Sequence, residues 1–162
     1  MTDFVGILRV LTKHDVEFIV VGGVCAVLRG TPVATIDLDI VHSRTPENVA
    51  RLLSALQDLE ARYRAHGIKD RRPGASHLLS ARHQLLVTRY GPLDLLGEIG
   101  AGRGFEGLQP HTVELHVGED LWTRVLDLDT LIVTKTEAGR EKEKAMLPVL
   151  RRTLAERNRT HL

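Results

Sequence analysis

The stretch Val20-Val21-Gly22-Gly23, followed by Thr35-Ile36-Asp37-Leu38-Asp39-Ile40-Val41, decides how the chain reads. Phe18 to Val21 is a short aromatic and β-branched run of the kind buried strands use. Gly22-Gly23 ends it, and Val24 to Leu28 resumes as a helix-like apolar cluster that stops at Gly30 and Pro32. Thr35 to Val41 predicts a second strand. Side chains two apart on a strand share a face, so Asp37 and Asp39 are expected side by side, with Ile36, Leu38 and Ile40 packed on the other face. Two carboxylates held this close repel each other unless a cation or water lies between them. Mg²⁺, or Mn²⁺ in its place, suits such hard oxygen ligands and is commonly shared with substrate phosphates. A glycine turn before a helix lets backbone N–H groups approach a phosphate, which assigns Gly22 and Gly23 to phosphate binding.

A third carboxylate is wanted if two metal ions are to steady an attacking hydroxyl and a leaving group. Asp94 is the best candidate, because Leu93-Asp94-Leu95-Leu96 is an apolar run in which a charge needs a reason. Glu98, beside the glycine-rich stretch, is the weaker alternative.

Working outward, Phe4, Ile7, Leu8 and Leu11 predict an amphipathic helix over the first dozen residues. A helix capped by Ser43 or Thr45, with Pro46 at its first position, is expected to run to about Leu59. Residues 62 to 76 read as a basic loop. Leu78-Leu79, Leu85-Leu86-Val87, Leu93 to Leu96 and Val113 to Val117 read as short strands. Gly97 to Gly107, with five glycines, is a flexible loop or lid candidate. Asp129 to Lys144 predicts a helix, Pro148 breaks the pattern, and a last helix covers roughly 149 to 157.

The chain has 162 residues, 43% of them apolar and 27% charged, with a formal net charge of +1. This is room for one domain and a sizeable core, 1–162, with a C-terminal helical segment over about 129–157. Two basic clusters, Arg62, Arg64, Lys69, Arg71 and Arg72, and Arg151, Arg152, Arg157 and Arg159, are able to meet phosphate. Cys25 is the single cysteine, so no internal disulfide forms, and a cytoplasmic protein is expected. No apolar run approaches the ~18 residues of a membrane span, so no membrane partner is expected. The eight histidines show no metal-ligand spacing, and no Gly-x-x-x-x-Gly-Lys loop is present.

At these residues the chain resembles the DNA polymerase β-type nucleotidyltransferase superfamily. Within it, the resemblance is to the bacterial abortive-infection and toxin branch of AbiEii-like and MenT-like proteins. Gly22-Gly23, Thr35-x-Asp37-x-Asp39, Leu93-Asp94-Leu95-Leu96, and Leu131-Ile132-x-x-Lys135 with Gly139-Arg140 carry it, over about residues 16 to 152. The resemblance implies an α/β (α+β) fold, a small mixed β-sheet flanked by helices with Asp37, Asp39 and Asp94 at one end. It implies Mg²⁺-dependent transfer of a nucleoside monophosphate from an NTP such as ATP to an acceptor hydroxyl. Thr35, Lys135 and Arg140 become nucleotide-binding residues beside Gly22 and Gly23. In the toxin branch the acceptor can be the 3′ end of tRNA, and a cognate antitoxin protein becomes a partner. Other relatives modify proteins or antibiotics. Two positions depart from the branch: Val33 stands where an arginine is frequent, and Lys142-Glu143 where Lys-Asp often follows the Gly-Arg pair. They motivate a second expectation, a degenerate, non-catalytic module that binds a nucleotide or a partner.

Overall fold

A computed structural model describes residues 2–65, 67 and 70–160. The elements in chain order are α1 (Phe4–Lys13), β1 (Phe18–Val21), α2 (Gly22–Leu28), β2 (Leu38–His42), α3 (Pro46–Asp58), β3 (Arg62–Tyr63), α4 (Ala75–Leu79), β4 (His83–Thr88), β5 (Gly91–Leu96), α5 (Phe105–Leu108), β6 (Thr112–Gly118), β7 (Leu121–Leu126), α6 (Leu128–Ala138) and α7 (Glu141–Thr160). A 3₁₀ turn, Gln109–His111, leads into β6.

The helices begin where the sequence supplies caps. Asp3 accepts from the Gly6 N–H at 2.8 Å, Thr45 from Asn48 at 3.2 Å ahead of Pro46, and Asp127 from Thr130 at 2.8 Å. The strands form one mixed sheet in the order β3-β4-β5-β2-β1-β7-β6. Its centre is the parallel pair β2–β5 and the antiparallel pair β1–β2, and β1 is also parallel to β7. The core is aliphatic: Ile7, Leu8 and Leu11 of α1, Ile19 and Val20 of β1, Leu38 and Ile40 of β2, Leu52 of α3, and Leu93 and Leu95 of β5 are all essentially inaccessible. Burying each such side chain contributes about 1.5–3 kcal/mol. The expected α/β (α+β) architecture, a mixed sheet flanked by helices, is the one observed.

Several expectations about elements are corrected. The second strand begins at Leu38, not Thr35. β1 ends at Val21, opposite Asp39, where Gly22 turns the chain into α2, so β1 offers Asp37 no partner. The Ile36 and Asp37 carbonyls instead accept from the Thr2 and Thr35 hydroxyls, at 2.6 and 3.2 Å, and Ile36 is 70% exposed rather than packed. Leu78-Leu79 is helical, in α4, because Pro73-Gly74 opens a turn whose Gly74 N–H donates to the His77 ring at 3.0 Å. The helix expected over 129–144 is two helices, divided at Gly139, whose φ of 67° is left-handed. Pro148 does not stop α7: it lies on the exposed side, where the carbonyl it leaves without a donor can face water. The loop expected over 62–76 contains β3 and the start of α4; His66, Ile68 and Lys69 lie outside the described residues. The strand β7 was not expected at all.

Candidate active site

The site is built at the sheet centre by register. Asp39 is opposite Val21 on one side and Asp94 on the other, so the two acids are direct neighbours on parallel strands and project from the same face. Gly22 follows Val21 with a φ of 68°, and a Cβ there would strike the Asp39 carboxylate. Glycine is therefore required for the backbone to come this close. Gly23 has the same relation to Thr35, whose Oγ1 would lie 2.7 Å from an added Cβ.

A cavity of about 270 Å³ opens beside this pair. Its walls include Gly22, Asp39, His83, Glu98, Gly100, Lys135, Arg140 and Glu143. Gly22, Asp39, Lys135 and Arg140 are thus brought together as the sequence suggested. Asp94 is almost fully buried behind Asp39, and Gly23 and Thr35 back the glycine turn without lining the cavity. Glu98 reaches the cavity wall and is paired with Arg44 at 3.1 Å. The five-glycine stretch is not a free lid. Ile99 and Arg103 bridge each other, and Arg103 makes two 2.8 Å bonds to Glu137 of α6, which also accepts from the Ala101 N–H at 3.1 Å.

The electrostatics of the pair are unusual for a merely structural carboxylate. Asp39 is pushed up to about 7, first by burial, then by the charge of Asp94 and the hydrogen bond shared with it, with Lys135 opposing and Asp37 adding to the rise. Its Oδ1 and the Oδ1 of Asp94 are buried without a hydrogen-bond partner. Lys135 is lowered by burial, against the favourable charges of Glu143 and Asp39 and with the repulsion of Lys142 and Arg140. Arg140 pairs with Glu143 at 2.5 Å; burial raises the Glu143 carboxyl, and Arg140 and Lys135 more than offset it, leaving it lowered.

Three residues of this neighbourhood were not assigned to the site from the sequence: Arg64, read only as one of a basic cluster able to meet phosphate, Glu143, read only as a departure from the branch, and His83. Arg64 lies 2.7 Å from Asp94 Oδ1 through Nη1 and 3.9 Å from Asp37 Oδ2 through Nη2. The Nη1 group also donates to the Leu86 carbonyl at 2.7 Å, the same distance at which it pairs with Asp94. With Asp37 drawn to Arg64, no three of the His, Cys, Asp and Glu side chains among the described residues stand ready around one point. The donor set nevertheless fits a divalent cation: Asp39 and Asp94 are paired in register, each with a buried Oδ1 that lacks a hydrogen-bond partner, and two adjacent carboxylates need compensating positive charge. Asp37 is the third oxygen source within reach of the same guanidinium.

No protein-family model matches the chain, and no curated protein does. Solved structures do. A Thermotoga maritima protein provisionally classed as a nucleotidyltransferase superposes with a TM-score of 0.58 at 19% identity, covering 93% of this chain and 89% of its own. The fold is the nucleotidyltransferase fold. The lincosamide antibiotic adenylyltransferase LnuA, solved with lincomycin bound, gives a TM-score of 0.59 at 16% identity, with 91% and 93% coverage. The antibiotic-resistance factor ANT(2″)-Ia gives 0.50 at 16%, with 96% and 92%. On the nucleotidyltransferase fold of this chain, Asp39 and Asp94 sit at the sheet centre with the glycine turn against them. Among the described residues no helix is long and apolar enough to cross a membrane.

Proposed function

We propose that this protein moves a nucleoside monophosphate from an NTP to an acceptor hydroxyl, with pyrophosphate as the leaving group. The observation that carries the reading is the in-register Asp39–Asp94 pair, each with a buried Oδ1 that lacks a hydrogen-bond partner, set against Gly22 beside a cavity that also holds Lys135 and Arg140. A nucleotidyltransferase fold supports it. Asp39 and Asp94, with Asp37, would hold Mg²⁺ or Mn²⁺. Such an ion, when bound, supplies Lewis-acid charge to phosphoryl oxygens. The chain's own groups do the rest. The Gly22-Gly23 turn brings backbone close to the phosphates, with Thr35 packed against it. Lys135 and Arg140 neutralise charge that builds on the leaving group. Asp94 orients the acceptor hydroxyl or takes its proton.

The acceptor is inferred from charge. A second cavity, of about 570 Å³, shares His83 with the first and is walled by Arg71, Arg72, Arg82 and His77. Among the described residues those three arginines form no ion pair. A cationic wall favours a phosphate-bearing acceptor and disfavours a polycationic drug. RNA is the acceptor we favour, with the tRNA 3′ end as its form in the toxin branch; there the protein would act in the cytoplasm and be held by an antitoxin. Adenylylation of an antibiotic, the activity in LnuA's name, is the second reading, supported by the likeness in fold alone.

The test is incubation with α-labelled NTPs, Mg²⁺ and total tRNA, beside parallel reactions with a lincosamide and an aminoglycoside. Label is expected on RNA, with Asp39→Asn and Asp94→Asn each slower by about 10²–10³-fold while still folded. Near-normal transfer by Asp39→Asn would remove the assignment. Label on a drug but not on RNA would move the protein to the second reading.

A further inference from the structure

The sheet register places five residues in one cross-strand row. Tyr63 pairs with Leu86, so Arg64, the next residue along, comes level with Leu85, its N–H on the Leu85 carbonyl at 3.3 Å. Leu85 pairs with Asp94, Asp94 with Asp39, and Asp39 with Val21. Residues in such a row point to the same face, and Arg64 needs only the width of β4 to bring its guanidinium to Asp94. The side chain is only 30% exposed and its Nη1 is anchored on the Leu86 carbonyl. Arg64 therefore presents a fixed positive charge to the carboxylates, touching Asp94 Oδ1 at 2.7 Å and reaching 3.9 Å from Asp37.

That is the place a metal ion would need. A guanidinium at 2.7 Å from a carboxylate oxygen already offsets its charge and repels a divalent ion brought to the same oxygen. The pair is also built to yield. Nη1 also donates to the Leu86 carbonyl at 2.7 Å, so the Leu86 anchor survives if Asp94 is released. We propose that Arg64 is a resident counter-ion of the carboxylate site, one that occupies Asp94 and Asp37 in the absence of metal and competes directly with the divalent ion for them. The inference rests on the metal assignment above and adds a residue that sets metal affinity.

Mn²⁺ binding, followed by the free-ion electron paramagnetic resonance signal, reads the competition directly on the full chain. Arg64→Ala is expected to bind Mn²⁺ about tenfold tighter than wild type, and Arg64→Lys, which keeps the charge, to stay near wild type. Arg62→Ala removes the same charge from β3, where Arg62 pairs with Asp70 at 3.5 Å away from the site, and is expected to leave Mn²⁺ affinity unchanged. In chelator the melting temperature of Arg64→Ala should fall below wild type, and saturating Mn²⁺ should raise it further than it raises wild type. If Arg64→Ala does not fold, Arg64→Gln gives the same comparison with a hydrogen-bond donor retained. A role for Arg64 in packing alone would not raise Mn²⁺ affinity. Equal or weaker binding by the folded Arg64 variants, with wild type binding Mn²⁺, overturns the counter-ion role and leaves the metal site standing. No Mn²⁺ uptake by any of the folded proteins overturns both.

Discussion

Gly22 couples backbone geometry to the chemistry of the site. Its φ of 68° is unfavourable for any residue with a Cβ, and the Cβ would occupy the space of the Asp39 carboxylate. Gly22→Ala is therefore expected to cost about 1–3 kcal/mol in urea unfolding. Gly107, in α5, has open space where its Cβ would be, and Gly107→Ala should be neutral or stabilising by up to about 1 kcal/mol. Equal effects of the two changes would mean that Gly22 is an ordinary turn residue. At this scale the sequence was informative where chemistry follows a short period. Asp39 and Asp94 stand out because each interrupts an apolar strand, and the structure makes them neighbours. Asp37 was read by the same alternation, yet it precedes the strand, since β1 has already turned away at Gly22. Arg64 was legible only as one of a basic cluster able to meet phosphate; its place beside the carboxylates comes from strand pairing across β4.

Among the elements, the segment between β5 and α5 is clasped to α6 by one acidic side chain. Glu137 on α6 accepts from Arg103 twice and from the Ala101 N–H, and these contacts hold its carboxyl down at about 2, with the Arg103 bond the largest cause. The folded-state value is below the ordinary value of 4.5. The clasp's contribution is therefore fully present above that ordinary value and is lost as pH falls through about 2. Glu137→Ala should speed amide exchange at Ile99 and Arg103, which bond each other at 2.8 and 2.9 Å, and the difference from wild type should shrink as pH approaches 2. A difference that persists unchanged at that acidity would show that the loop is held by something other than the carboxylate. Five glycines suggested freedom of movement; what restrains them is a partner on a distant helix, which local composition does not reveal. The strand β7 was missed for a related reason. Its buried face alternates Leu121, Thr123 and Val125, and the polar Thr123 masks the period, while the turn before it uses Asp120 in the left-handed region in place of a glycine. The break at Gly139 was legible as a helix stop, but the mixed charges after it resembled an exposed continuation.

For the whole molecule, Cys25 offers a probe of cooperative unfolding. It is fully buried between α2 and the end of β7, its thiol donating to the Leu126 carbonyl at 3.2 Å, and burial pushes it up to about 12. A thiol so protected is inert until the structure opens. Ellman's reagent should label the native protein slower than a free thiol by about three orders of magnitude or more, and the rate should track global unfolding measured by circular dichroism in urea. Rapid labelling in native buffer would place a local opening at the α2–β7 contact. The overall architecture was readable because apolar periods specify strands and helices independently of their partners; the order of the strands was not, because it is set by which buried faces meet.

The central β2–β5 pairing has a consequence for how the molecule comes into being. A parallel pair cannot be closed by a hairpin, and here the chain passes through α3, β3, α4 and β4 before β5 can lie against β2. Asp39 leaves the ribosome long before Asp94. An early nascent chain holds one acid with no companion, and the Asp39–Asp94 pair comes into existence only when a long-range contact closes, late and all at once. The site and the native fold are then completed in one transition, so a half-made copy of this protein holds no half-made site.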